Sequence, residues 1–266
     1  MTGRILHISD LHLGRSEASE PLTSLRDLIP ALAPEILVVT GDLTHRGRRA
    51  ELERARELLE SLALPLLAVP GNHDIPYVFP TRFTRTREEW ERAFGTAEPI
   101  YTSDRVAIAG LNSVRPWRQQ GGLVEMSQLD RVASKLERAP LRALRAVALH
   151  HHLAAPPWRA ARKRPLRRRD LVLQRLASAG VELILSGHVH QSAVAERREF
   201  EAVEHDRLPT LVLATAPGFG RPRPQRRGEA LGFNVYESDQ ESISVVTWSW
   251  AGRTFAEVGR RTFQRG

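Results

Sequence analysis

The chain has 266 residues, 41% of them hydrophobic, which is enough for a buried core and too rich for a disordered chain. It contains no cysteine, which excludes disulfides and thiolate metal sites. Basic residues outnumber acidic ones by 39 to 31, but only Lys135 and Lys163 are lysine, so the net charge of +8 reflects an arginine-rich composition as much as a surface for a long polyanion. The same charge suits small phosphate-bearing substrates. No apolar run approaches the roughly 18–20 residues of a membrane span. The N-terminus carries no apolar leader, so the expected location is cytoplasmic.

In chain order, apolar runs at 5–8, 36–40, 66–69, 106–111, 146–149 and 183–185 predict buried strands. Helical patterns fall between them at 22–32, 47–62, 127–139 and 170–179, the first opened by Pro21 and the last closed by Gly180. This alternation predicts an α/β fold. After Gly187 the pattern changes to strands at 194–203, 208–215, 232–236 and 243–250 without helices between them, which predicts a more antiparallel sheet packed against the first. Residues 217–228, rich in Pro, Gly and Arg, read as an exposed loop. With neither repeat nor linker, residues 1–266 form one domain in this reading, with cap-like insertions at 75–88 and 154–169.

Polar segments stand at the ends of five apolar runs: Asp10-Leu11-His12, Gly41-Asp42, Gly71-Asn72-His73-Asp74, His150-His151-His152 and Gly187-His188-Val189-His190. Each alone is a common turn or a solvated loop. Together they point to one site, because loops at the carboxyl ends of neighbouring strands converge in open α/β sheets. Asp10, His12, Asp42, Asn72, His150, His188 and His190 offer carboxylate, imidazole and amide oxygen, a donor set for Mn, Fe, Zn or Co. These are too many ligands for one catalytic ion that keeps an open position, and they suffice for two ions sharing a carboxylate. His7, inside the first strand, reads as a packed or hydrogen-bonded histidine; His45 and His205 read as surface residues, with His45 near the Gly-Asp turn.

The ordered set Asp-x-His, Gly-Asp, Gly-Asn-His-Asp, His and Gly-His-x-His resembles the calcineurin-like metallophosphoesterases. The opening residues 5–14 resemble the bacterial branch that includes class III cyclic nucleotide phosphodiesterases. The resemblance implies a four-layer α/β/β/α sandwich with a dimetal site at the strand C-terminal ends. It implies that Asp10, His12, Asp42 and His190 hold one metal and that Asp42 bridges to a second held by Asn72, His150 and His188, with Mn or Fe favoured. A metal-bridging hydroxide would then attack a phosphodiester. His73 would contact the phosphate or protonate the leaving group, with Asp74 orienting His73 and favouring its protonated form. His151 is the fallback for His150.

The resemblance leaves the substrate open between a cyclic nucleotide or similar small phosphoester and, as the competing reading, DNA cut by a repair-type nuclease; a non-catalytic scaffold is the third. Asn72, His73, Arg159 and Arg162 are candidate substrate contacts, the arginines in a basic stretch, 159–169, that could clamp phosphate. Tyr77, Phe79 and Phe83 could form a stacking wall. A homodimer would be in keeping with this branch, though no residue demands one.

Overall fold

The protein is described by a computed structural model covering residues 2–14, 19–118, 120–154, 163–199, 210–220, 222 and 228–265. The first half alternates β1 (Gly3–Ile8), α1 (Ser19–Leu32), β2 (Ile36–Val39), α2 (Arg49–Glu60) and β3 (Leu66–Ala68). Two short helices, α3 (Thr81–Thr84) and α4 (Glu88–Phe94), lead to β4 (Ile100–Thr102) and β5 (Val106–Gly110). Then come α5 (Met126–Glu137), β6 (Leu144–Ala148), α6 (Arg169–Ser178) and β7 (Leu183–Ser186). The chain ends in β8 (Ala193–Glu196), β9 (Val212–Thr215), β10 (Gly232–Ser238), β11 (Ser242–Trp250) and β12 (Phe255–Gln264).

These strands form two sheets, ordered β12-β11-β10-β1-β2-β3 and β4-β5-β6-β7-β9-β8. Alternation along each strand sends successive side chains to opposite faces. Ile5, Val38 and Leu67 of the first sheet therefore share a core with Ile108, Ala146 and Leu185 of the second. Their neighbours Leu6, Ile8, Leu37 and Val39 pack outward against Leu25 of α1 and Leu52, Ala55 and Leu59 of α2. On the far side, Ala107, Val147 and Ile184 meet Leu129 and Val132 of α5 and Val172 and Leu176 of α6. Both faces of the central strands are buried, which is why those strands read as apolar runs. The architecture is a four-layer α/β/β/α sandwich, and each Leu or Ile buried in it contributes about 1.5–3 kcal/mol.

The strands after Gly187, expected to form a second, more antiparallel sheet, divide between the two. β9 lies parallel to β7, with β8 antiparallel at its edge. β10 instead returns to pair antiparallel with β1, followed by β11 and β12. Pairing with β10 supplies hydrogen bonds to the edge of β1 that β2 leaves open. β12 escaped the pattern because it is an edge strand whose middle is polar and exposed; only Phe255 and Phe263 near its ends are buried.

The parallel strands β1, β2, β3, β6 and β7 all end at the same rim, so the loops that follow them meet across the two sheets.

Candidate metal centre

The loops leaving β1 and β2 run side by side: the amides of Asp10, His12 and Leu13 donate to the carbonyls of Gly41, Asp42 and Leu43 at 2.8–2.9 Å. Within them the backbone turns sharply. Asp10, His12 and Asp42 have φ of 56°, 50° and 52°, and His188 and His190, after β7, have 72° and 57°. Left-handed backbone costs a non-glycine residue on the order of 1 kcal/mol or more, and such strain is retained where the surroundings fix it for function. Gly71 and Gly187 mark the closest approaches. A Cβ on Gly71 would strike the Asp42 amide and Oδ1, and one on Gly187 would strike Ser9 Oγ and Asp10 Oδ2.

Asp10 is clamped through one oxygen only. Its Oδ2 accepts from Ser9 Oγ at 2.7 Å and from the His188 amide at 2.9 Å. Its Oδ1 is buried without a hydrogen bond, 3.2 Å from His190 Nε2 and 3.9 Å from His12 Nε2. His12 Nε2 and His190 Nε2 are 3.3 Å apart, so Asp10, His12 and His190 converge on one point.

A second group forms around His150. Its Nδ1 lies 2.7 Å from the Thr40 carbonyl, which can only accept, so Nδ1 carries the proton and Nε2 faces inward as a lone pair. That Nε2 lies 3.0 Å from His188 Nδ1, 3.1 Å from Asn72 Oδ1 and 3.4 Å from Asp42 Oδ1. Asp42 reaches the first group with its other oxygen, Oδ2 lying 3.8 Å from His12 Nε2. Acceptor atoms packed this closely repel unless a cation lies among them. Buried carboxylate, imidazole and amide oxygen without thiolate suit a borderline divalent ion. The side chains present fit such ions.

The electrostatics agree with that fit. Burial pushes the Asp10 carboxyl up and the His188 imidazole well down, the latter helped by Lys163. Burial alone would raise Asp42 as well, but the imidazoles of His150, His12 and His73 and the His73 amide hold it below the usual carboxylate range. A neutral His188 is free to ligate.

Residues 3–192 match the family model described as calcineurin-like phosphoesterase. The chain belongs to the calcineurin-like phosphoesterase family. It is 31% identical over 210 residues to a protein of Synechococcus named as a probable cyclic nucleotide phosphodiesterase, covering 74% of this chain and 77% of that one. It is 27% identical over 201 residues to the 3′,5′-cyclic adenosine monophosphate phosphodiesterase CpdA of Escherichia coli, covering 71% and 70%. Among solved structures, yellow lupin purple acid phosphatase superposes with a TM-score of 0.70 at 15% identity, over 100% of this chain and 54% of that longer one, which is a likeness of fold. With these relatives named as phosphodiesterases, the chain is a phosphoric ester hydrolase, phosphodiesters being favoured.

Within this calcineurin-like centre, the loop after β3 departs from the expected arrangement. Asp74 does not orient the His73 ring. Its carboxylate is buried and accepts from the amides of Leu43 (3.2 Å), Thr44 (2.9 Å) and Gly71 (2.9 Å) and from Thr44 Oγ1 (2.9 Å). It staples the loop carrying Asp42 to the loop carrying Asn72. Burial and the Asp42 charge push it up to about 6 against the pull of those donors. His73 is held instead through Nδ1, 3.0 Å from the His45 carbonyl and 3.0 Å from the Tyr77 hydroxyl. Its own amide donates to Asp42 Oδ1 at 2.8 Å.

His45 is half-buried rather than a surface residue, and with His12 and His73 it makes a third cluster, which lacks a carboxylate. Tyr77 stood in the sequence only as a stacking candidate; nothing in the pattern signals its contact with His73. His151 is turned away to Ser113 Oγ at 2.8 Å, and His152 lies against His188 with burial pushing it down to about 4. The triple histidine is buried throughout. His7 bonds Tyr236 and Thr40 at 2.8 Å each, in keeping with a packed histidine. Lys163 Nζ donates to the His188 carbonyl. Arg159, Arg162 and His205 lie outside the described residues.

Proposed function

We propose that this chain is a dinuclear metal-dependent phosphodiesterase acting on small nucleotide-type phosphodiesters. The observation carrying this reading is Asp42, whose two oxygens address two separate histidine clusters at 3.4 Å and 3.8 Å. In this reading Asp10, His12 and His190 hold one ion, Asn72, His150 and His188 hold the other, and Asp42 is shared. The imidazole-rich, thiolate-free donor set suits borderline divalent ions, with Mn or Fe favoured from the family resemblance. Two bound divalent ions would acidify the attacking water and offset charge on the phosphate oxygens.

The protein groups set the geometry around that chemistry. Ser9 Oγ and the His188 amide fix Asp10, and the His73 amide fixes Asp42, so neither carboxylate must reorganise. Donation of Nδ1–H to the His45 carbonyl leaves His73 Nε2 to carry a proton to the leaving oxygen. The cyclic nucleotide activities named for the Synechococcus and Escherichia coli relatives support a nucleotide phosphodiester as the first substrate to assay.

The test is hydrolysis of bis(p-nitrophenyl) phosphate, p-nitrophenyl phosphate, cyclic AMP and single-stranded DNA, after chelation and again with Mn, Fe or Zn restored. Metal-restored turnover of small diesters above the monoester and DNA is expected. No metal-restorable activity on any of them would overturn the assignment, and dominant DNA cleavage with a steep salt dependence would move it to a nuclease.

A further inference from the structure

We infer that the buried hydrogen-bond network Thr215–Asn234–Tyr236–His7–Thr40 is a positioning device that holds His150 of the second sheet in register with Asp42 of the first. The inference rests on the dinuclear reading above and assigns that centre its supporting residues.

The seven candidate ligands divide between the sheets. Asp10, His12, Asp42 and Asn72 follow β1, β2 and β3 of the first, and His150, His188 and His190 follow β6 and β7 of the second. A centre built this way keeps its shape only if the sheets cannot slide. The packing between them is largely apolar, and apolar burial is non-directional. Polar groups enter that packing where β1 approaches the site. His7 lies opposite Asn234 in the β1–β10 pair, two residues nearer the rim than the Ile5–Tyr236 pair.

The hydrogen bonds run in one direction. Asn234 Nδ2 donates to the Thr215 carbonyl at 3.4 Å and to the Tyr236 hydroxyl at 3.3 Å. Burial pushes the Tyr236 phenol up, so it keeps its proton and donates it to His7 Nδ1 at 2.8 Å. Burial also lowers His7 to about 3, leaving a neutral ring whose Nε2 donates to Thr40 Oγ1 at 2.8 Å. The Thr40 carbonyl in turn accepts from His150 Nδ1 at 2.7 Å, with His150 Nε2 then 3.4 Å from Asp42 Oδ1. At the other end, Thr215 Oγ1 lies 3.0 Å from Ser186 Oγ, two residues before His188. The network therefore starts and ends in the second sheet and crosses the first directly beneath Asp42.

This arrangement serves direction rather than stability. His7, Thr40, Asn234 and Tyr236 are fully buried, and Asn234 Oδ1 has no hydrogen-bond partner among the described residues. An apolar side chain of the same size would avoid the cost of that buried acceptor.

The test uses Asn234→Leu, Tyr236→Phe and, as a control in the same apolar core, Ile243→Val. Calorimetry follows Mn binding to the chelated proteins, the His150 event being the one that His150→Ala removes. NMR follows solvent exchange of the His150 Nδ1 proton in the chelated proteins. Asn234→Leu should unfold at a urea concentration equal to or above that of the parent. Its Kd for the His150 event should nevertheless rise at least tenfold, and the Nδ1 proton should exchange at least tenfold faster. Tyr236→Phe should repeat both changes with a lower urea midpoint, the other Mn event moving less than threefold in either variant. Ile243→Val should leave both events and the exchange rate within twofold of the parent. Equal weakening of both events, weakening that tracks urea stability across all three variants, or unchanged exchange in Asn234→Leu would overturn the inference. A parent that binds fewer than two Mn ions would overturn the dinuclear reading instead, leaving proton exchange to judge the network.

Discussion

Replacing Asp74 by alanine separates a structural staple from a catalytic partner. The carboxylate accepts from three buried amides, those of Leu43, Thr44 and Gly71, and from the Thr44 hydroxyl. Leaving a buried donor unsatisfied costs about 1–3 kcal/mol. Three of them, partly relieved by water entering the vacated space and by removal of a buried acid, give an expected loss of about 3–5 kcal/mol. Because the staple joins the turn that carries Asp42 to the loop that carries Asn72, metal affinity should fall with it. The assay is urea unfolding of chelated Asp74→Ala, His73→Ala and parent protein at pH 7.5, with bound Mn measured on the reconstituted proteins. Asp74→Ala should be far less stable than His73→Ala and hold less metal. Stability within about 1 kcal/mol of the parent, full metal content and a kcat loss equal to that of His73→Ala would refute the staple and restore Asp74 as a partner of the His73 ring.

His73→Ala itself should lower kcat by about 10²- to 10⁴-fold, the usual worth of a positioned proton donor, with metal content unchanged; equal loss of metal and rate would make His73 a ligand. Restoring Mn to the chelated protein at 100 times its Kd should stabilise it by about 2.7 kcal/mol for each ion bound in thermal or chemical unfolding, since ions bind the converged clusters and not the open chain; no shift would speak against a preformed site. His7 gives a pH signature away from the metal clusters. Burial lowers it to about 3, whereas in the unfolded chain it takes a proton near 6.5. Its stabilising contribution is therefore complete above about 6.5 and is lost as pH falls toward 3, at about 1.4 kcal/mol per pH unit. Between pH 7 and 5 the chelated parent should lose about 2 kcal/mol more than His7→Gln, and parallel curves would contradict this.

The candidate site was legible because the chemistry concentrates where strands end. Asp10, His12, Asp42, Asn72, His150, His188 and His190 each follow an apolar run, and the fold draws all of them into two adjoining clusters. The left-handed turns that aim them were not legible, since Asp10, His12 and His188 adopt conformations that only a neighbour such as Gly41 advertises. Asp74 misled through adjacency: beside His73 in sequence, it faces backbone amides in space. His45 and Tyr77 were missed as supports for His73 because a carbonyl and a distant hydroxyl leave no periodic trace. In the fold, the central strands were clear because both faces are apolar. β4 and β12 were not, being edge strands with few buried residues.

The central claim is that two ions share Asp42. Anomalous diffraction from crystals of the Mn-loaded protein tests it directly. Two peaks are predicted, one against Asp10, His12 and His190 and the other against Asn72, His150 and His188, with Asp42 contacting both. A single peak, or one seated among His12, His45 and His73, would contradict it.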